Sequence, residues 1–184
     1  VFDSGLTSRI VRSALGTSLS KADLAVLVQL LSRVGCSDLR ALGHVKRLLE
    51  ARLPDPAVSE VIAGLRLCTR GGVADHAMFV AVSETLHIKA QTLSVYDIGQ
   101  IMVLFGQARE YDAAFFGAML RRLPGKVRVA KLADAAVFLR GMARCRYRDE
   151  AATLAALEVI EKNLGENDAD TLRLSTLALQ AMAK

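Results

Sequence analysis

The sequence predicts an all-α fold, an α-solenoid of two-helix repeats with a 37-residue period. Three observations predict it: a helix-forming composition, two columns of acidic residues at a constant step, and apolar residues following each acid at helical spacing. Hydrophobic residues make up 52% of 184 residues, enough to build a core and to set the chain apart from disordered tails. Three prolines, no tryptophan and 5% aromatics leave a chain rich in Ala and Leu, the residues that lose least on entering a helix.

The first acidic column is Asp23, Glu60, Asp97 and Asp134, each 37 residues after the last, with Thr171 one further step on. These residues open DLAVLVQLL, EVIAGLRLC, DIGQIMVLF, DAAVFLRGM and TLRLSTLAL. Fifteen residues behind each acid comes a second column, Asp38, Asp75, Asp112 and Asp149, opening DLRALGHV, DHAMFVAV, DAAFFGAM and DEAATLAAL. Two apolar columns share the step: Leu42, Phe79 and Phe116, with Thr153 as the exception, and Leu49, Leu86, Leu123 and Ile160. Several columns at one period define an internal repeat, present four times and begun a fifth. The expected organisation is a single array over residues 1–184: a partial unit 1–18, units 19–55, 56–92, 93–129 and 130–166, and a partial unit 167–184.

Each unit reads as two helices. In the first, Leu24, Leu27, Val28 and Leu31 form one buried stripe. Val61, Leu65 and Cys68 repeat it, as do Ile98, Ile101, Met102 and Phe105, and Ala135, Phe138, Leu139 and Met142. Gly35 and the Gly71-Gly72 pair then break the helix, and Arg109-Glu110-Tyr111 and Arg146-Tyr147-Arg148 fill the same slot in later units. The aspartate that follows either caps the second helix or sits in its first turn, where a carboxylate meets unpaired amides. Pro54, Pro56, Pro124 and Gly125 interrupt helix between units. Residues 1–18 are expected to form the second helix of an earlier unit, with Leu6, Ile10 and Leu15 in its core. Thr171–Lys184 is expected to form a lone first helix, so that both ends look cut from a longer array.

Chemistry is sparse. No run of 18 apolar residues is present to cross a membrane. Cys36, Cys68 and Cys145 form neither a CxxC nor a disulfide pattern and point to a reducing compartment. His44, His76 and His87 fall at different repeat positions, none at metal-ligand spacing with a Cys or carboxylate. Cys68 takes the core slot of Leu31, Phe105 and Met142, so it reads as a small hydrophobe. No phosphate-binding loop, zinc motif or nucleophile elbow occurs. The expectation is a non-enzyme without metal, cofactor or small-molecule substrate.

Charge is the informative feature. The net charge of +5 resolves into +2 over residues 1–108, +7 over 109–148 and −4 over 149–184. In each first helix, the positions six and ten beyond the opening acid lie one turn apart on one face. They read Gln29/Arg33, Arg66/Arg70, Val103/Gln107 and Arg140/Arg144. Stacked units would align them into a stripe of Arg and Gln. Arg offers planar bidentate donors to phosphate and Gln bonds base edges, so the stripe suits RNA. The plainer alternative, long polar side chains solvating an outer face, requires no such alignment. A secondary basic patch comprises Arg121, Arg122, Lys126, Arg128 and Lys131, at the end of a second helix and in its linker.

Residues 19–184, through DLAVLVQLLSRVGCSDLRALGHVKRLL, DIGQIMVLFGQAREYDAAFFGAMLRRL and DAAVFLRGMARCRYRDEAATLAALEVI, resemble the heptatricopeptide- and octotricopeptide-like repeats. They are also similar to the helical region of FAST-kinase-like and RAP-domain proteins. The resemblance implies an organellar protein that binds, stabilises or processes RNA, or is built into an organellar ribosome. It implies a mitochondrial location, with plastid or cytoplasm as alternatives, and RNA and other proteins of a large complex as partners. The 37-residue unit departs from the tetratricopeptide repeat of about 34 residues and lacks its Trp and Tyr signature, and no base-reading code is carried over. The alternative is a scaffold that receives a partner helix in its grooves or on its acidic final stretch.

Overall fold

The computed structural model describes Ser13, residues 21–33, 35–53, 57–121 and 123–163, and Thr176. Among these residues the chain is all-helical, with no strand. The helices are α1 (Lys21–Arg33), α2 (Leu39–Arg52), α3 (Val58–Arg70), α4 (His76–Lys89), α5 (Val95–Ala108), α6 (Ala113–Leu120), α7 (Leu123–Val127), α8 (Leu132–Cys145) and α9 (Glu150–Asn163). The chain divides into two compact units, Val1–Thr85 and Leu86–Lys184, the division falling within α4. The expected helices over 1–18 and 171–184 lie outside the described residues, as do Pro54, Pro56 and Arg122.

The local chemistry of the turns explains where helices stop and start. After α1, α3, α5 and α8 the backbone enters the left-handed region at Gly35 (φ 62°), Gly72 (φ 70°), Arg109 (φ 60°) and Arg146 (φ 52°). The next amide then reaches back five residues to a buried core position. Cys36 donates to the Leu31 carbonyl, Val73 to Cys68, Glu110 to Phe105 and Tyr147 to Met142, at 3.0–3.1 Å. This is the hydrogen bond that closes a helix C-terminus by a left-handed residue. Glycine accepts that conformation without strain, whereas an L side chain in it costs about 1 kcal/mol.

Three residues beyond each left-handed residue comes the cap. Asp38 accepts from the amides of Arg40 and Ala41, Asp75 from Met78, Asp112 from Phe115 and Asp149 from Ala152. All four aspartates of the second column therefore have the structural role their spacing implied. In the first column, Asp97 completes a reciprocal capping box with Ser94 at the start of α5. Glu60 and Asp134 lie in the first turns of α3 and α8, where the helix dipole favours a negative charge.

Within the first unit, α3 packs against both α1 and α2. Leu27, Val28 and Leu31 of α1 are buried, as are Val61, Leu65 and Cys68 of α3. Leu42 and Leu49 of α2 lie over Gly71 and Gly64, so the absence of Cβ at those glycines makes room for two of the columned leucines.

Within the second unit, α5 and α8 approach until their backbones touch. A Cβ on Gly99 would lie 2.7 Å from the Phe138 nitrogen, and one on Gly141 would lie 2.7 Å from the Gly99 carbonyl oxygen. A Cβ on Gly106 would lie 2.5 Å from the Arg144 carbonyl carbon. Glycine is required at all three positions because the neighbour is backbone, which cannot rotate away. Phe105, Phe115, Phe116 and Phe138 are fully buried beside this seam, each stabilising the core by about 1.5–3 kcal/mol.

One element departs from the spacing that the sequence predicts. The sequence places Pro124 and Gly125 in the linker after the third second helix, where they end or exclude helix. Instead the helix stops at Leu120 and resumes as α7, which contains both residues. A proline ring clashes with the carbonyl four residues back, here that of Leu120, and lacks the amide to bond it. In the first turn of α7 the same missing amide has no partner to lose. Leu123 stays buried, so the column survives the break.

The two kinds of glycine predict opposite outcomes. Gly141→Ala should destabilise by about 1–3 kcal/mol, because the added methyl meets backbone. Gly117→Ala, where nothing lies within 4 Å of the added carbon, should stabilise by about 0.5–1 kcal/mol. Urea unfolding midpoints of the two variants measure both.

Candidate nucleic-acid interface

The first-helix pairs are outward-facing with one exception. Gln29 and Arg33 on α1 are exposed, and on α3 Arg70 is exposed and Arg66 half-buried. Because α1 packs on α3, these four side chains belong to neighbouring helices of the first unit. In the second unit Gln107, Arg140 and Arg144 are exposed, whereas Val103 is buried. Gly106, the residue before Gln107, meets the Arg144 backbone at the C-terminal ends of α5 and α8.

Arg33, Arg70 and Arg144 stand in the last turns of their helices, where a cation meets the negative end of the dipole. That accounts for an arginine at those three positions without any ligand. Arg140 stands a turn before Arg144 and is exposed.

Two members of the secondary patch have partners within the fold. The Lys126 ammonium donates to the carbonyls of Gln91 (2.6 Å) and Leu93 (2.9 Å), tying α7 to the loop before α5. Arg128 pairs with Glu158 of α9 at 3.3 Å. Arg121 and Lys131 are exposed, on opposite sides of α7 in the chain.

The spacing of residues did not reveal an aromatic group at the loops after α5 and α8. The rings of Tyr111 and Phe116 are 5.3 Å apart, those of Phe116 and Tyr147 6.3 Å, and those of Tyr111 and Tyr147 6.4 Å. Phe116 in turn packs edge-on against Phe105 at 5.5 Å. Tyr111 is 55% exposed and Tyr147 half-buried. Burial, then Asp149 and Tyr111, push the Tyr147 phenol above its ordinary pKa and keep it neutral. Four exposed arginines, Arg109, Arg144, Arg146 and Arg148, stand in or beside the same two loops. Arg109 and Arg146 fall at the repeat position of Gly35 and Gly72, a signal already in the sequence. The proximity of the tyrosines, separated by 36 residues, emerges only from folding.

Burial pushes the Cys68 and Cys145 thiols up to about 12, and the Cys145 Sγ donates to the Met102 carbonyl at 2.8 Å. His44 is lowered by burial and then by Arg47, whose guanidinium lies 3.4 Å from Nδ1. His76 and His87 are exposed at the two ends of α4, as their positions implied. Among the described residues no group of three or more His, Cys, Asp or Glu is placed to hold a metal ion, and no helix is long and apolar enough to cross a membrane. Compared with known proteins, the chain matches no protein-family model and no curated relative.

Asp75 combines its cap with an ion pair to Lys46 of α2. The Lys46 hydrogen bond first, and the Met78 amide second, hold the Asp75 carboxyl below its ordinary pKa. Lys46 is raised, chiefly by the same hydrogen bond. A carboxylate depressed in the folded state stabilises above its unfolded pKa, and that contribution disappears as pH falls through the folded value. Lys46, raised, contributes fully below its unfolded pKa and loses its share as pH rises through the folded one. Asp75→Asn should therefore lower the thermal midpoint at pH 7, and the gap to the parent should narrow steadily below about pH 4. Thermal melts of both proteins from pH 3 to 7 measure it.

Proposed function

We propose that the chain is an α-solenoid of two-helix repeats with a 37-residue period that binds RNA without catalysis. The repeat reading is supported by helix starts at Lys21, Val58, Val95 and Leu132, and at Leu39, His76, Ala113 and Glu150, each series stepping by 37. It is supported again by left-handed residues and aspartate caps at the same step.

The observation that carries the RNA reading is the outward placement of Arg and Gln on first helices that pack side by side within each unit. Arg140, exposed and set a turn before the end of α8, weighs most. The chain would engage single-stranded or looped RNA by charge and shape, with arginine donors on phosphates and glutamines on base edges. The resemblance to organellar helical-repeat proteins adds a mitochondrial ribonucleoprotein, ribosomal or RNA-processing setting to the proposal.

A second reading, a protein-protein scaffold, is favoured by one observation. Val26 and Leu30 of α1 lie one turn apart and are 55% and 48% exposed. A partner helix would cover them.

Titration with RNA and with heparin at several salt concentrations separates the readings. The RNA reading expects a preference for RNA over heparin and binding that weakens with salt. Replacing Arg140 and Arg144 together by Gln should weaken RNA binding and flatten the slope of log K against log salt by about 1.4, the share of two phosphate contacts on a single strand. An unchanged slope and affinity would remove the first-helix arginines from the interface.

A further inference from the structure

We propose that the paired loops after α5 and α8 form a stacking site for an unpaired RNA base, with Tyr111 as the platform and Arg109 and Arg146 as donors to the flanking phosphates. The inference rests on the RNA reading and deepens it, since it names a site outside the first-helix pairs.

Three observations converge on these loops. The first is conformational. The structure places a left-handed residue at the same turn four times, and the first unit uses glycine both times, at Gly35 and Gly72. The second unit uses arginine both times, at Arg109 and Arg146, although the conformation disfavours any L side chain. Strain of this kind persists where the surrounding structure enforces it, and it gathers at functional sites. Two arginines at equivalent strained positions are a choice that glycine would have made unnecessary for the fold.

The second observation is geometric. Tyr111 is more than half exposed, yet its ring is held against fully buried Phe116, which also carries Tyr147 at 6.3 Å. A ring anchored this way is pre-organised, so a base that stacks on it loses little to ordering the protein. Stacking on an aromatic face tolerates any base, the usual arrangement for single strands.

The third observation is electrostatic. Of the carboxylates in these loops, Asp112 and Asp149 are taken up by the amides of Phe115 and Ala152 at helix N-termini. Glu110 is half-buried and Glu150 exposed. Arg109, Arg144, Arg146 and Arg148 are all exposed. Arginine beside an exposed ring suits a phosphate next to a stacked base.

The test uses the full chain and a single-stranded RNA oligomer. The protein has no tryptophan and three tyrosines, so its intrinsic fluorescence comes from Tyr96, Tyr111 and Tyr147. RNA binding should quench it, Tyr111→Phe should remove most of the quench, and Tyr96→Phe should leave most of it in place. Tyr111→Ala should weaken binding by about fivefold or more. The double variant Arg109→Gly, Arg146→Gly should raise the unfolding midpoint by about 2–4 °C through relief of strain, while RNA binding falls. A better-folded protein that binds less cannot be explained by lost structure. If the double glycine variant binds RNA as the parent does, or the quench survives Tyr111→Phe, the loop site is overturned while the first-helix reading stands. If the parent chain binds no RNA at all, both readings fall.

Discussion

The turn that joins α1 to α2, α3 to α4, α5 to α6 and α8 to α9 is the constraint on which the rest of the structure depends. It consists of one left-handed residue, one amide that reaches back to a core carbonyl, and one aspartate that receives the amides of the next helix. Each part removes a freedom. The left-handed residue stops the first helix, the back-bond fixes where the chain leaves it, and the cap fixes where the second helix begins. The carbonyl that accepts the back-bond belongs to Leu31, Cys68, Phe105 or Met142, whose side chains occupy the buried column of the first helix. Backbone closure and core packing are thus joined at one residue per turn. This also explains why a residue as small as Cys68 is tolerated in that column: its carbonyl serves the turn whatever its side chain fills.

On this frame the two units solve the packing problem differently. In the first, the glycines accommodate leucine side chains, as Gly64 does for Leu49 and Gly71 for Leu42. Such contacts adjust by rotation of a flexible side chain. In the second, Gly99, Gly106 and Gly141 bring the backbones of α5 and α8 into contact, and nothing there can rotate away. Backbone contact fixes the mutual position of the two helices closely. It therefore also fixes the loops that leave them, which is why Tyr111 and Tyr147 meet over Phe116.

Much of this was legible in the sequence because it depends on interactions close along the chain. A cap needs only an acid before a helix, so Asp38, Asp75, Asp112 and Asp149 could be assigned from spacing alone. Buried columns follow from helical periodicity, and the one at Leu49, Leu86, Leu123 and Ile160 is buried throughout. What escaped depends on contacts between units of the pattern. The glycine seam breaks the repeat, since the residues equivalent to Gly99 and Gly141 in the preceding units are Ile62 and Leu104. The break at Leu120 lies ahead of Pro124 because a proline's clash falls on the carbonyl four residues before it, which a local reading of the proline does not place. The engagement of Lys126 by the Gln91 and Leu93 carbonyls joins residues more than thirty apart, beyond any periodic reading.

The same distinction orders the candidate functional residues. A basic residue in the last turn of a helix has a local reason to be there, so Arg33, Arg70 and Arg144 are weak witnesses to a ligand. Lys126 and Arg128 have partners within the fold. Arg140 carries more weight, because it is exposed and stands a full turn before the helix end. Arg109 and Arg146 carry the most, since local energetics argue against them: the turn works with glycine, as the first unit demonstrates twice. A residue retained against its own conformational preference needs a reason outside the backbone. Beside an exposed, anchored tyrosine, the reason that fits arginine's chemistry is a phosphate next to a base. The weight of the RNA reading thus shifts from an evenly repeated stripe to one pair of loops, where the repeat departs from its own rule.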